Sequence, residues 1–209
     1  MKRVIVNPFD LDVGILREAV SVLRDGGLVG FPTDTVYGVA GDPRNKTAVL
    51  KVYQVKSRPS NIAVPIIAAD REQVMGCVRD VTPVATSLMA AFWPGPLSIV
   101  MKAAGILDRR ILGEGDSVAM RVPGNIIARE LAKEFGFPIM ATSANMHGEP
   151  PGVTGKEVCE ALGGKVDLVL DGGRAPGGLS STVVDGRGNV PVLVRDGPVP
   201  WSSILSLLE

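Results

Sequence analysis

Val13-Gly-Ile-Leu-Arg-Glu-Ala-Val-Ser-Val-Leu-Arg-Asp-Gly-Gly-Leu-Val-Gly-Phe31 is the stretch that decides the fold class. Val13, Leu16, Val20 and Leu23 recur at the spacing that lines one face of an α-helix. Gly26-Gly27 stops that helix, because glycine readily takes the conformations that end one. Residues 28–31 then form a short apolar run suited to a buried strand, and Pro32 ends it. Helix, turn and buried strand in immediate succession are one step of α/β alternation.

The same alternation continues in both directions. Upstream, residues 3–6 read as a strand. Downstream, 46–55 reads as a helix, 63–69 as a strand, and 70–79 as a short helix with Asp70 as its N-cap. Residues 82–93 form a further helix, stopped by Pro94-Gly95-Pro96. Residues 97–102 and 117–122 are strands around a polar loop, and 125–135 is an amphipathic helix ending at Gly136. A strand at 138–142, a helix at 154–162 and a strand at 167–170 follow. Residues 181–185 and 190–195 pair around 186–189 at the end. The expectation is an α/β fold with a mixed parallel and antiparallel sheet flanked by helices. No repeat, low-complexity tract or linker breaks the pattern, so residues 1–209 are expected to be one domain.

Bulk properties narrow the function. Apolar residues make up 45% and charged residues 21%, a globular rather than disordered composition. Lys+Arg and Asp+Glu are equal at 22 each, so net charge gives no general pull toward nucleic acid or membrane. The N-terminus lacks a secretory apolar core, and no apolar run nears the roughly 18 residues of a membrane span. Cys77 and Cys159 show no CxxC spacing and read as small buried hydrophobes, although a disulfide between them is open in principle. A cytoplasmic, reduced setting is expected. His147 is the only histidine, which excludes multi-His zinc sites and reads as a loop residue. Chemistry must then fall to Arg, Lys, hydroxyls and backbone amides.

Five segments concentrate such groups. Gly30-Phe-Pro-Thr-Asp-Thr-Val-Tyr-Gly38 follows a strand, where α/β sheets bind ligands, but Pro, Thr and Asp are also ordinary turn residues. Lys56-Ser-Arg-Pro59 closes a helix with two cations, which suits either the helix dipole or a triphosphate. Ser117-Val-Ala-Met-Arg-Val-Pro123 puts Ser117, Ala119 and Arg121 on one strand face. An Arg in an apolar strand needs an anion, which Asp34, a Glu or a ligand carboxylate can supply. Ala141-Thr-Ser-Ala-Asn145 sits at a strand end. Ser181 opens a strand, and Arg195 ends one ahead of a turn. The glycines at 172, 173, 177 and 178 fit neither GxxxxGK[ST] nor GxGxxG, so an ATP enzyme here is not of the Walker type.

Taken in order, GFPTDTVYG, KSRP, WPGPLSIVMKA, SVAMRVP, ATSANMHGEPP, DLVLDGG, SSTVVD and VRDGP resemble the YrdC/Sua5 family over most of the chain. The resemblance implies a twisted YrdC-like mixed sheet with a concave basic cavity, in the short single-domain form without a C-terminal Sua5 domain. It implies a nucleotidyltransferase that joins L-threonine, bicarbonate or CO2, and ATP into threonylcarbamoyl-AMP, with Mg2+ accompanying the ATP. A separate transferase complex would pass the threonylcarbamoyl group to a tRNA adenosine, and direct tRNA or RNA binding is left open. No tightly held protein metal is implied.

Position by position, the resemblance assigns Thr35, Arg121, Ala141 and Ser181 to L-threonine. Lys56, Arg58, Ser117, Ser143, Asn145 and Arg195 match nucleotide positions, with Lys56, Arg58 and Arg195 neutralising phosphate charge in catalysis. Two departures fall on the ATP side: Ile62, beside Asn61, stands where the family usually has Lys or Asn, and Pro151 where it often has Ser. Ile67 replaces a His of longer members. Two rivals follow: a paralogue that binds RNA or nucleotide without forming the adenylate, and a carbamoyl-transfer domain of hydrogenase-maturation type.

Overall fold

The computed structural model describes residues 1–57, 62–146 and 148–208. After β1 (Lys2–Ile5), the Asp12 carboxylate accepts from the Gly14 N–H and starts α1 (Val13–Arg24), which buries Leu16, Ala19, Val20 and Leu23. Burying each Leu or Val contributes about 2 kcal/mol, which is what fixes this face inward. The chain turns through Gly26, whose φ is 73°, into β2 (Val29–Phe31).

An unexpected strand, β3 (Gly38–Ala40), returns antiparallel on β2 with Gly38 opposite Phe31. Residues 32–37 therefore form a link between two strands, where the sequence suggested only a strand end. Asn45 caps α2 (Lys46–Lys56), and β4 (Ile66–Ile67) is shorter than the strand expected over 63–69. Asp70 caps α3 (Arg71–Met75) as expected, accepting from the Gln73 N–H. That helix ends early, and β5 (Val78–Arg79) pairs instead with a later strand.

Thr82 caps α4 (Pro83–Phe92). β6 (Leu97–Ala103) and β7 (Ser117–Arg121) are the strands expected around the polar loop, and they pair antiparallel. α5 (Ile126–Phe135) runs from Asn125 to Gly136, which is left-handed at φ 77°. The strand expected over 138–142 is two, β8 (Ile139–Met140) and β9 (Thr142–Ser143). α6 (Gly155–Leu162), β10 (Leu168–Asp171), β11 (Thr182–Asp185) and β12 (Val192–Arg195) follow as read. The last element, α7 (Trp201–Leu208), was not anticipated; its buried Ile204 and partly buried Trp201 and Leu208 join the core beside α4.

The strands make two mixed sheets rather than one. The smaller runs β1-β10-β2-β3-β9, parallel across β1, β10 and β2 and antiparallel beyond. The larger runs β12-β11-β6-β7-β4-β8, with β5 paired to β6. One core forms where α1 and α5 cover Phe31, Leu168 and Leu170, and a larger one spans β6, β7, α2 and α4. Cys77 lies in the larger core, and burial pushes its thiol up to about 11 against the opposing pull of the Arg44 guanidinium. Both cysteines are free thiols. Among the described residues no helix is long and apolar enough to cross a membrane.

Candidate active site

The two sheets meet where the chain steps from β8 to β9 through Ala141, whose N–H donates to the Pro65 carbonyl at 2.8 Å. A solvent-open cavity of about 280 Å³ lies at this seam. Thr35, Lys56, Arg121, Ala141, Ser143, Asn145, Ser181 and Arg195 all border it, drawn together from six separate sequence segments. Its charged lining consists of Lys56, Arg121 and Arg195, with no Asp or Glu among the described lining residues.

Arg121 ends β7 with its side chain only 7% exposed. Its Nε donates to the Gly95 carbonyl at 2.9 Å, and its Nη2 donates to Asp34 Oδ1. The anion left open by the sequence is thus first of all Asp34. Its other oxygen, Oδ2, is buried and has no hydrogen-bond partner among the described residues. Burial pulls the Arg121 guanidinium below its usual pKa, and Asp34 opposes that pull. Two edges of the guanidinium are therefore committed to protein, and Nη1 is directed at Thr35 Oγ1, 3.4 Å away. Gly95 is required for this arrangement: a Cβ there would sit 2.4 Å from the Phe92 carbonyl oxygen. The Trp-Pro-Gly-Pro segment, which its residues mark as a helix stop, also supplies the carbonyl that aims Arg121.

Ser181, at the mouth of β11, pairs with Ser98 of β6 through their hydroxyls at 2.9 Å. Arg195 Nη2 donates to the Ser181 carbonyl at 2.7 Å and to its hydroxyl at 3.1 Å. The two hydroxyls hold two protons and spend one on each other, so the pair keeps one for a cavity acceptor. Ser98, which is buried, was missed in the sequence because it reads there as one more residue of an apolar strand.

Lys56 closes α2 with its side chain turned inward. Its Nζ donates to the Ser143 carbonyl, the Ser143 hydroxyl at 3.1 Å and Asn145 Oδ1 at 2.9 Å. Asn145 Nδ2 in turn donates to the Glu149 carbonyl, which pins the loop. The structure does not bring Ser117 to this lining; it is buried at the other end of β7, close under Gly113. Ile62 and Ile67 both line the cavity, whereas Pro151 does not. Arg58, Asn61 and His147 lie outside the described residues. Among those described, no three His, Cys, Asp or Glu side chains are grouped to hold a metal.

The Sua5/YciO/YrdC family model, described as "Telomere recombination", matches residues 21–197. The chain belongs to this family. A curated relative named threonylcarbamoyl-AMP synthase, from Pyrococcus abyssi, is 36% identical over 189 residues, covering 90% of this chain and 56% of the relative. A relative of the same name from Vibrio cholerae is 38% identical over 159 residues, covering 75% of this chain and 85% of that one. The solved structure of P. abyssi Sua5 complexed with L-threonine superposes with a TM-score of 0.94 at 34% identity, over 100% of this chain and 61% of that one. The chain therefore spans little more than half the length of the P. abyssi proteins it matches.

Proposed function

We propose that this chain is a threonylcarbamoyl-AMP synthase, making threonylcarbamoyl-AMP and pyrophosphate from L-threonine, bicarbonate or CO2, and ATP. The observation that carries the reading is Arg121. It is a buried guanidinium aimed by Asp34 and Gly95 so that Nη1 meets Thr35 at a cavity edge. The relatives' shared name and the L-threonine complexed with P. abyssi Sua5 support placing an amino-acid carboxylate there.

On this reading Arg121 receives the threonine carboxylate, with Thr35, Ala141 and the Ser98–Ser181 pair around the rest of the molecule. The amine takes up CO2, losing a proton and becoming an N-carboxylate. One oxygen of that group attacks the α-phosphorus of ATP, a new O–P bond forms, and the bond to the β-phosphate oxygen breaks to release pyrophosphate. Lys56 and Arg195, with Arg58 two residues beyond Lys56 in sequence, neutralise phosphate charge, and Ser143 and Asn145 shape the loop against the nucleotide. The described residues fit a Mg2+ ion carried by the triphosphate better than a resident one, since they group no carboxylates at the cavity. Such an ion supplies charge neutralisation on the phosphates. The product would serve a second protein that transfers the threonylcarbamoyl group to tRNA.

The test is release of pyrophosphate from ATP by the purified chain, with threonine and bicarbonate each omitted in turn. Release that needs both is expected. Nucleotide binding with no threonine-dependent release would overturn the reading in favour of a family member that is not a synthase.

A further inference from the structure

We infer that Thr33 is a positioning residue that makes Thr35 a hydrogen-bond acceptor toward the cavity, and so selects a ligand carrying an N–H beside its carboxylate. The inference follows from counting protons. Thr33 Oγ1 lies 2.7 Å from the Val36 carbonyl oxygen, which can only accept, so Thr33 spends its single hydroxyl proton there. The Thr35 backbone N–H donates to the same Thr33 oxygen at 3.1 Å. Thr33 Oγ1 is also 2.9 Å from Thr35 Oγ1. With the Thr33 proton already committed, that bond exists only if Thr35 donates it.

Thr35 therefore has no proton left to offer. Arg121 Nη1, 3.4 Å from Thr35 Oγ1, is a guanidinium nitrogen and can itself only donate, which agrees with this polarity. Both threonines are buried and both line the cavity, so the polarity is set by the protein rather than by solvent. The Ser98–Ser181 pair in the same lining behaves in the opposite sense, because it retains one proton to give.

An acceptor next to a carboxylate-directed guanidinium matches an α-amino acid, whose carboxylate and amine share one carbon. Nitrogen carboxylated to the N-carboxylate still carries one hydrogen, so Thr35 can hold it before and after that step. This assignment rests on the proposal that an amino acid occupies this side of the cavity.

The experiment is calorimetric titration of the full chain with L-threonine, for the unaltered protein, Thr33→Val and Thr33→Ser, alongside the KM for ATP. Thr33→Val is expected to weaken threonine binding about tenfold or more, Thr33→Ser to restore it, and the KM for ATP to stay within about twofold. Equal threonine affinity in Thr33→Val overturns the inference. If that variant does not fold, titrating the unaltered chain with 3-hydroxybutanoate, which lacks the amine, decides it: affinity equal to that of L-threonine overturns it. If the unaltered chain binds no threonine at all, the proposed function fails first.

Discussion

The two walls of the cavity are built by different means. On the side proposed for the amino acid, Arg121 ends a central strand and is locked by a buried ion pair and a carbonyl from a glycine that admits no substitute. On the side proposed for the nucleotide, Lys56 ends a helix and reaches a loop, and Arg195 ends an exposed edge strand. The first wall is fixed before any ligand arrives, by contacts that are costly to leave unmade. The second is tied through hydrogen bonds to neutral backbone and side-chain oxygens, an arrangement that phosphate oxygens can join or replace. On the proposed assignment, recognition of the small substrate relies on rigidity, and that of the triphosphate on adaptable cations.

Three substitutions probe that contrast. The largest effect is expected from Arg121→Met, which strands the Asp34 carboxylate in the interior. It should cost about 3–5 kcal/mol in a denaturant titration and abolish threonine binding by calorimetry. Adding Asp34→Leu should recover stability but not binding. Threonine binding that survives Arg121→Met would detach the carboxylate from this residue.

Lys56→Met comes next. The loop carrying Ser143 and Asn145 loses a charged donor, so the KM for ATP should rise about tenfold while the threonine dissociation constant stays within about twofold. A matching rise for threonine would show that the two walls act as one.

Arg195→Lys is expected to do least, and it tests the cation that links the proposed nucleotide side to Ser181 of the other. Lysine keeps the charge but not the planar fork that grips the Ser181 carbonyl. The KM for threonine should rise about threefold, with the KM for ATP changing less. The reverse order would make Arg195 a nucleotide residue alone.

Much of this was legible in the residues. Asp12, Asn45, Asp70, Thr82, Asn125 and Thr154 all cap the helices they precede, because capping depends on one side chain and the next few backbone N–H groups. The cations and hydroxyls of the site were visible as types in their segments. What escaped was set by distant neighbours. Val78–Arg79 looks helical until β6 offers an edge, and Ser98 looks like core until Ser181 faces it. The step from β8 to β9 is one strand in sequence and two sheets in space.

By itself, then, the sequence determined the α/β alternation, most helix starts, and most of the donors and acceptors the cavity has to work with. Those follow from local periodicity and side-chain chemistry. The tertiary structure decided which of them meet: Arg121 with Asp34 and Gly95, Lys56 with Asn145, and Arg195 with Ser181. It also decided which way the hydroxyl protons point. A proton's direction depends on every partner within about 3 Å, and most of those partners are brought there only by the packing of two sheets.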